Sequence, residues 1–379
     1  MIQNIRHLFT FILILELLSA CSTDPAATDF AAPKLGAVTV EAEAFQARIS
    51  CPVSGSTAGV TSYGFRFGEG FLSEIPALLV DGVLTATVKG LASETTYQVE
   101  AFLGNGAETL TTDNVVFRTE AGEETVTIPD PVFRRYILQN FDKNDDEVLT
   151  LSEALKINEI EVCTDSIYSL RGIEKMSQLR RLTADGSPWG NGNLYEVDLS
   201  GNPKLEFCRL ESNELHTIDL SGNPLLQNIS LNVNPLDSID FSHNPLVREV
   251  GLNGTDLKYL PEMTFLDLTS LHFSYVARFI PADYFRHFPN MNSFNIGHFQ
   301  GKKFDLTLNP YINNVWCDNA PNIEEMDFTS SHQKHFENIH TRNCPKLRRI
   351  LLRAGTTIGT MEKDNHTEIV YIEYPSITE

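Results

Sequence analysis

Between Leu194 and Leu257 the chain repeats itself every 21 residues. Leu194, Leu215, Leu236 and Leu257 stand in register. The runs that begin at the first three read LYEVDLSGNPKLEFCRLESNE, LHTIDLSGNPLLQNISLNVNP and LDSIDFSHNPLVREVGLNGTD. A fixed period of this size predicts a solenoid. One coil cannot bury its apolar edge alone, so stacked coils must share one long core. The expected product is a slab with a broad exposed face, which suits binding better than a catalytic cleft.

Two ladders of apolar pairs can be followed. The first takes Cys208/Leu210, Ile229/Leu231, Val250/Leu252, Leu271/Phe273, Phe294/Ile296 and Val315/Cys317, and Ile339/Thr341 continues it 24 residues later. Leu182/Ala184 can precede it. The second takes Val197/Leu199, Ile218/Leu220, Ile239/Phe241, Phe304/Leu306, Met326/Phe328 and Ile350/Leu352. The L-x-x-L-x-L-x-x-N spacing is that of leucine-rich repeats. Helices in that family lie on the convex side, and Ile280–Phe288 reads as helical within the second ladder. The resemblance therefore implies that the first ladder is the concave sheet. Residues 351–374 depart from the repeat, and Ile369–Tyr374 reads as a strand covering the last open coil.

Residues 1–20 read as a leader, with Arg6 and His7 before the apolar run Leu8–Leu18. Leu18-Ser19-Ala20-Cys21 resembles the lipobox of bacterial lipoproteins. The resemblance implies acylation of Cys21 and residues 21–33 as a tether. An acyl anchor fits better than a membrane span, because the apolar run is short. The 379 residues carry a net charge of −21, which argues against nucleic acid as a partner. Cys51, Cys163, Cys208, Cys317 and Cys344 are odd in number and irregularly spaced. They predict mostly buried free thiols rather than a disulfide framework.

Residues 34–120 alternate apolar and polar positions between Gly, Ser, Thr and Asp turns, predicting an all-β module. Leu91-Ala92-Ser93-Glu94-Thr95-Thr96-Tyr97 resembles the corner of fibronectin type III domains, where a Tyr hydroxyl pins the turn. That resemblance implies a β-sandwich acting as a spacer. Residues 126–161 change character. Phe133, Ile137 and Phe141 have helical spacing, and the stretch after them resembles an EF-hand calcium loop. The resemblance implies calcium held by Asp142, Asn144, Asp146, the Val148 carbonyl and Glu153, with Thr150 acting through water. Glu147 stands where such loops carry glycine. The alternative is a helix–loop–helix that caps the solenoid without metal.

The solenoid is assigned to residues 162–379, including a C-terminal cap. Asn202, Asn223, Asn244, Asn309, Asn213 and Asn234 recur at its corners and read as structural. Thr255, Ala320, Ser331 and Cys344 replace Asn later, so those coils are expected to be looser. Asp198, Asp219 and Asp240 form a column that reads as a solvated face. Arg209, Ser230, Gly251, His272, Asn295, Trp316 and His340 occupy the outward slot of the first ladder, with Tyr275, His298 and Asp318 just beyond it. An aromatic with polar neighbours suits a sugar or a peptide. Arg209, His272, Tyr275, Trp316, Asp318 and His340 are therefore the candidate ligand-binding residues.

The fold class is thus mainly β: a fibronectin type III-like sandwich, a short EF-hand-like helix pair and a leucine-rich-repeat solenoid. The whole arrangement resembles surface lipoproteins of Gram-negative anaerobes. It implies an outer-membrane, surface-exposed location and a protein or glycan as ligand, with the membrane reached through the lipid alone. No GxSxG, HExxH or P-loop is present, so no enzyme is expected. A structural envelope scaffold is the second reading. A glycoside hydrolase with an unrecognised carboxylate pair is the third. Nothing in the sequence sets the oligomeric state.

Overall fold

The computed structural model describes residues 32–68, 73–187, 192–259, 268–274, 278 and 280–373. The leader, Cys21, nearly all of the expected tether and Tyr275 lie outside the described residues. The chain forms two compact units, each described by itself.

The first unit contains residues 32–41, 48–88 and 96–117. It is built from two antiparallel sheets. One includes Ala47–Ser54 and Val83–Val88; the other includes Ser62–Phe67 and Thr96–Gly104. Alternating residues of both turn inward. Ile49, Cys51 and Leu84 meet Phe65, Val99, Ala101 and Leu103 in one buried cluster. Tyr97, expected to pin a corner, lays its ring 5.3 Å from Phe67 and 5.8 Å from Phe117. The turn at 92–95, which clusters with the second unit, is closed by Thr119. Its hydroxyl donates to the Ala92 carbonyl at 2.7 Å and accepts from the Thr95 amide at 2.9 Å.

The second unit holds the helices and the solenoid. Asp130 caps the helix Pro131–Phe141, accepting from the Val132 and Phe133 amides. A loop leads to the short helix Leu151–Ala154, whose capping box is Thr150 and Glu153. Phe133, Ile137, Leu149 and Ala154 enter the same core as Ile160 and Leu182. The helices thus close one end of the solenoid core.

The solenoid is a mainly β coil stack with one long parallel sheet. Among the described residues this sheet has ten strands, running in chain order from Glu159–Cys163 to Thr357–Lys363. It opens at Glu159, inside the segment that the sequence assigns to the helix pair. Its register is in phase from strand to strand: Leu182, Cys208, Ile229, Val250, Leu271, Phe294, Val315 and Ile339 pair successively. All eight are buried. Strand side chains alternate faces, so their neighbours on either side point outward.

The opposite side of each coil is less regular. Its early segments, around Leu199, Leu220 and Phe241, are extended without ladder pairing. Three later ones, Glu325–Asp327, Arg349–Arg353 and Glu368–Ile372, form a parallel sheet. The stretch expected as a helix contains a single 3-10 turn, Tyr284–His287.

One expectation needs correction. Residues 357–372 continue the coil pairing rather than leaving it, and the expected terminal strand is present as Glu368–Ile372. Thr357–Lys363 pairs in parallel with His335–Thr341, and Glu368–Ile372 pairs with Arg349–Arg353. They form one further coil in which Met361 and Ile369 extend the two ladders, while Lys363 and Tyr371 take the places of Thr341 and Leu352. The segment escaped notice because its slots hold Met361, Lys363, Ile369 and Tyr371 in place of leucines.

Candidate functional site

The outward row in mid-strand runs Glu161, Thr183, Arg209, Ser230, Gly251, His272, Asn295, Trp316, His340, Glu362. A second row, two residues earlier, runs Glu159, Arg181, Phe207, Asn228, Glu249, Ser270, Ser293, Asn314, Asn338, Thr360. Four of the candidate binding residues, Arg209, His272, Trp316 and His340, thus share one row. Glu362 was missed because the last coil was missed.

Between Arg209 and His272 the face dips into a cavity of about 320 Å³. Gly251 opens its floor. A Cβ there would stand 2.5 Å from Ser230 Oγ and 3.0 Å from the Asn232 amide. Glu211 lies on the rim, where its Oε1 accepts from Ser230 Oγ and, at 3.0 Å, from Asn232 Nδ2. Arg209 is engaged by Asp185, Nε to Oδ2 at 2.6 Å. His272 bonds Ser270 Oγ through Nε2 at 3.0 Å. Burial pushes its imidazole below the ordinary range, against the opposite pull of the Glu249 and Glu211 carboxylates. A largely neutral His272 therefore faces the cavity at pH 7.

Trp316 and His340 sit on neighbouring strands, ring centroids 5.6 Å apart and inclined by 32°. His340 Nδ1 lies 3.5 Å from Glu362, whose carboxylate also meets Arg342 Nε at 3.1 Å. Arg342 reaches Asp318 at 3.6 Å. Asp318 is therefore held within the coil stack: its Oδ1 also accepts the Arg342 backbone amide at 2.6 Å.

Asp318 belongs to a feature that sequence reasoning overlooked. At successive strand ends a side-chain oxygen accepts the amide of the adjacent coil. Asp185 takes Glu211 N, Asn232 takes Asn253 N, and Asn253 takes Ser274 N. Asp364 takes Asn343 N in the reverse direction. Amides that the short strands leave unpaired are satisfied in this way. The signal was available: Asp or Asn recurs two residues after the outward slot.

The corner asparagines behave as expected. Asn223 Nδ2 donates to the Leu199 and Asn202 carbonyls, both at 3.0 Å, and Asn244 repeats the pattern one coil on. Of the later substitutes, Ala320 has no side-chain donor and the other three keep one each. Thr255 Oγ1 donates to Leu252 O, Ser331 Oγ to Ile312 O, and Cys344 Sγ to Cys317 O. Burial raises the Cys344 thiol to about 11. Cys51, Cys208 and Cys317 are buried as well, whereas Cys163 is exposed. On the opposite side, Asp198, Asp219, Asp240 and Asp305 are each held below the usual carboxylate range, chiefly by hydrogen bonds from the Ser or Thr two residues on.

Of the calcium-loop residues, Asp142 to Thr150 lie between the two helices and Glu153 stands inside the second. Asp142 accepts the Asp146 and Glu147 amides, so the loop curls around its carboxylate. Glu147 adopts φ +64°, the left-handed conformation for which glycine is usual. Glu153 is buried and accepts Lys143 N at 2.8 Å, Thr150 N at 3.1 Å and Thr150 Oγ1 at 2.9 Å. Asp146 is buried too. Desolvation raises its carboxyl first, and the charges of Asp142 and Glu153 raise it further.

The donors are oxygens, as calcium requires, and three carboxylates sense one another. Asn144, however, turns its amide N–H toward Asp146 at 2.8 Å. Among the described residues no group of three or more His, Cys, Asp or Glu stands ready to hold a metal ion. Calcium binding would need Asn144 and Asp146 to turn their oxygens to a common centre. Calorimetry is expected to record calcium heat in the wild type and none in Glu153→Gln, which keeps a cap acceptor. Equal traces from the two would leave the loop as a bare cap.

No family model matches the chain, and no curated protein does. Among solved structures, the functional domain of InlJ from Listeria monocytogenes is 17% identical at a TM-score of 0.43. The match covers 66% of this chain and 73% of that one. The internalin InlF of Listeria monocytogenes is 14% identical at 0.37, covering 64% of this chain and 95% of that chain. The leucine-rich repeat domain of APL1B is 14% identical at 0.40, with coverages of 67% and 68%. These are likenesses to solenoids built of leucine-rich repeats.

Proposed function

We propose that the chain is a non-enzymatic binding protein of the bacterial cell envelope, anchored by lipid at Cys21. The outward face of its ten-stranded sheet holds a protein or glycan ligand. The observation carrying this reading is the shared row of Arg209, His272, Trp316 and His340 beside a 320 Å³ cavity. A glycoside hydrolase would need one carboxyl of a facing pair kept protonated. On the opposite side, a cavity of about 500 Å³ gathers Asp283, Asp305, Glu325 and Asp327. There Asp305 is held low by Thr307, and Glu325 pairs with Arg349.

The test is a defined array of glycans and purified envelope proteins probed with the soluble mature chain. A ligand that loses at least tenfold in affinity with Arg209→Ala or Trp316→Ala is expected. Binding indifferent to both variants removes the face from the reading. The anchor is lost from it if alkyne fatty acid labels wild type and Cys21→Ser alike.

A further inference from the structure

The two halves of the sheet face differ in charge. In the first five strands the outward slots include Glu159, Glu161, Arg181, Arg209 and Glu249. The next four strands carry Ser270, His272, Ser293, Asn295, Asn314, Trp316, Asn338 and His340 in these slots, Ser293 buried and the other seven part-exposed. None of these eight is Lys, Arg, Asp or Glu, in a chain of net charge −21. His272 is held toward its neutral form by burial. Beyond Trp316 and His340, Arg342 pairs with Glu362 and Asp318, and Glu337 is exposed on the strand of His340 just outside these slots.

What remains in this window is hydroxyls, amides and one aromatic platform. Asn338 Nδ2 donates to Asn314 Oδ1 at 3.0 Å, which fixes both amide planes beside Trp316. Trp316 is half-buried and braced by the His340 ring. An indole face receives the C–H face of a pyranose ring, and Asn, Ser and His side chains donate to and accept from its hydroxyls. Adjacent strands are about 4.8 Å apart, so the polar groups recur at that interval along the window and form an extended row. In these eight slots a charged ligand would find no Lys, Arg, Asp or Glu to neutralise it.

We infer that strands 270–272, 293–295, 314–316 and 338–340 form a subsite for a neutral oligosaccharide, with Trp316 as its stacking platform. This rests on the binding-face reading and narrows it to one ligand class.

The test uses neutral hexasaccharides of glucose, mannose and N-acetylglucosamine, an anionic hexagalacturonate and a random peptide library. Each is titrated calorimetrically into the full mature chain at low and high salt. A neutral hexasaccharide is expected to bind with an affinity that changes less than twofold with salt. Trp316→Ala should weaken it at least tenfold, and Asn295→Ala several-fold. Tyr259→Ala removes an aromatic side chain that is 82% exposed and lies outside the strands. It should leave the affinity unchanged. The melting transition of Trp316→Ala should stay close to that of wild type, far short of the loss expected for a core side chain.

Binding of hexagalacturonate or a peptide alone, lost with Trp316→Ala, would overturn the oligosaccharide while keeping the face as a binding surface. Neutral binding untouched by Trp316→Ala would overturn the subsite. No binding by any arm would overturn the oligosaccharide subsite, and the binding face would then stand or fall on the envelope-protein array.

Discussion

Replacing Phe294 by alanine is expected to destabilise the solenoid by about 3–5 kcal/mol. The side chain is fully buried, with Phe285 stacked at 5.0 Å and Phe304 edge-on at 5.6 Å. Phe285 and Phe304 also meet each other, at 5.8 Å. These rings fill the coil where the 3-10 turn replaces an extended segment. Collapse around the void is therefore limited, which places the effect toward the upper end. Trp316→Ala, on the outward slot one strand later, should shift the same transition far less. Urea unfolding of both variants checks this. The two units need separate transitions in the fit, because a single midpoint would blur them. Equal losses would mean that the inward and outward slots are exchanged.

The second large effect is expected at a corner. Asn223→Asp removes the two N–H donors that serve the Leu199 and Asn202 carbonyls. It also brings a carboxylate into a fully buried position. A loss of roughly 3–5 kcal/mol at pH 7 follows, the range for an uncompensated buried charge. The introduced carboxyl should titrate above its unfolded value of about 3.9. The folded state then holds its proton longer than the unfolded state. Stability is best retained below about pH 4 and falls as pH rises through the folded pKa. Thermal melts at pH 4 and pH 7 test this. An equal deficit at both pH values would show that the corner carries no buried charge.

The period of 21 made the inner ladder readable residue by residue, because a one-residue slip would turn every core side chain to solvent. Leu271/Phe273 and Phe294/Ile296 were placed correctly across a 23-residue step. The outward row followed from the same alternation, and so did the positions of Trp316 and His340. What did not show was pairing among side chains. Asp318 looks like a ligand-binding acid in the sequence, yet its oxygens face the Arg342 amide and guanidinium. Arg209 likewise looks available and is engaged by Asp185. Such contacts join residues 24 positions apart, and no local pattern announces them. The charge contrast between the halves of the face was present in the sequence. It becomes visible once the register puts eight scattered residues side by side.

The corner asparagines give the coil stack a direction in time. Each reaches back to the preceding coil: Asn202 to Ile173 and Met176, Asn223 to Leu199, Asn244 to Leu220, Asn309 to Phe285 and Phe288. A coil is thus fastened by the one made after it. Synthesis delivers the N-terminal end first, so each new segment of about 20 residues completes the corner of its predecessor. The chain can set behind itself as it emerges, like a zip whose slider is the growing end.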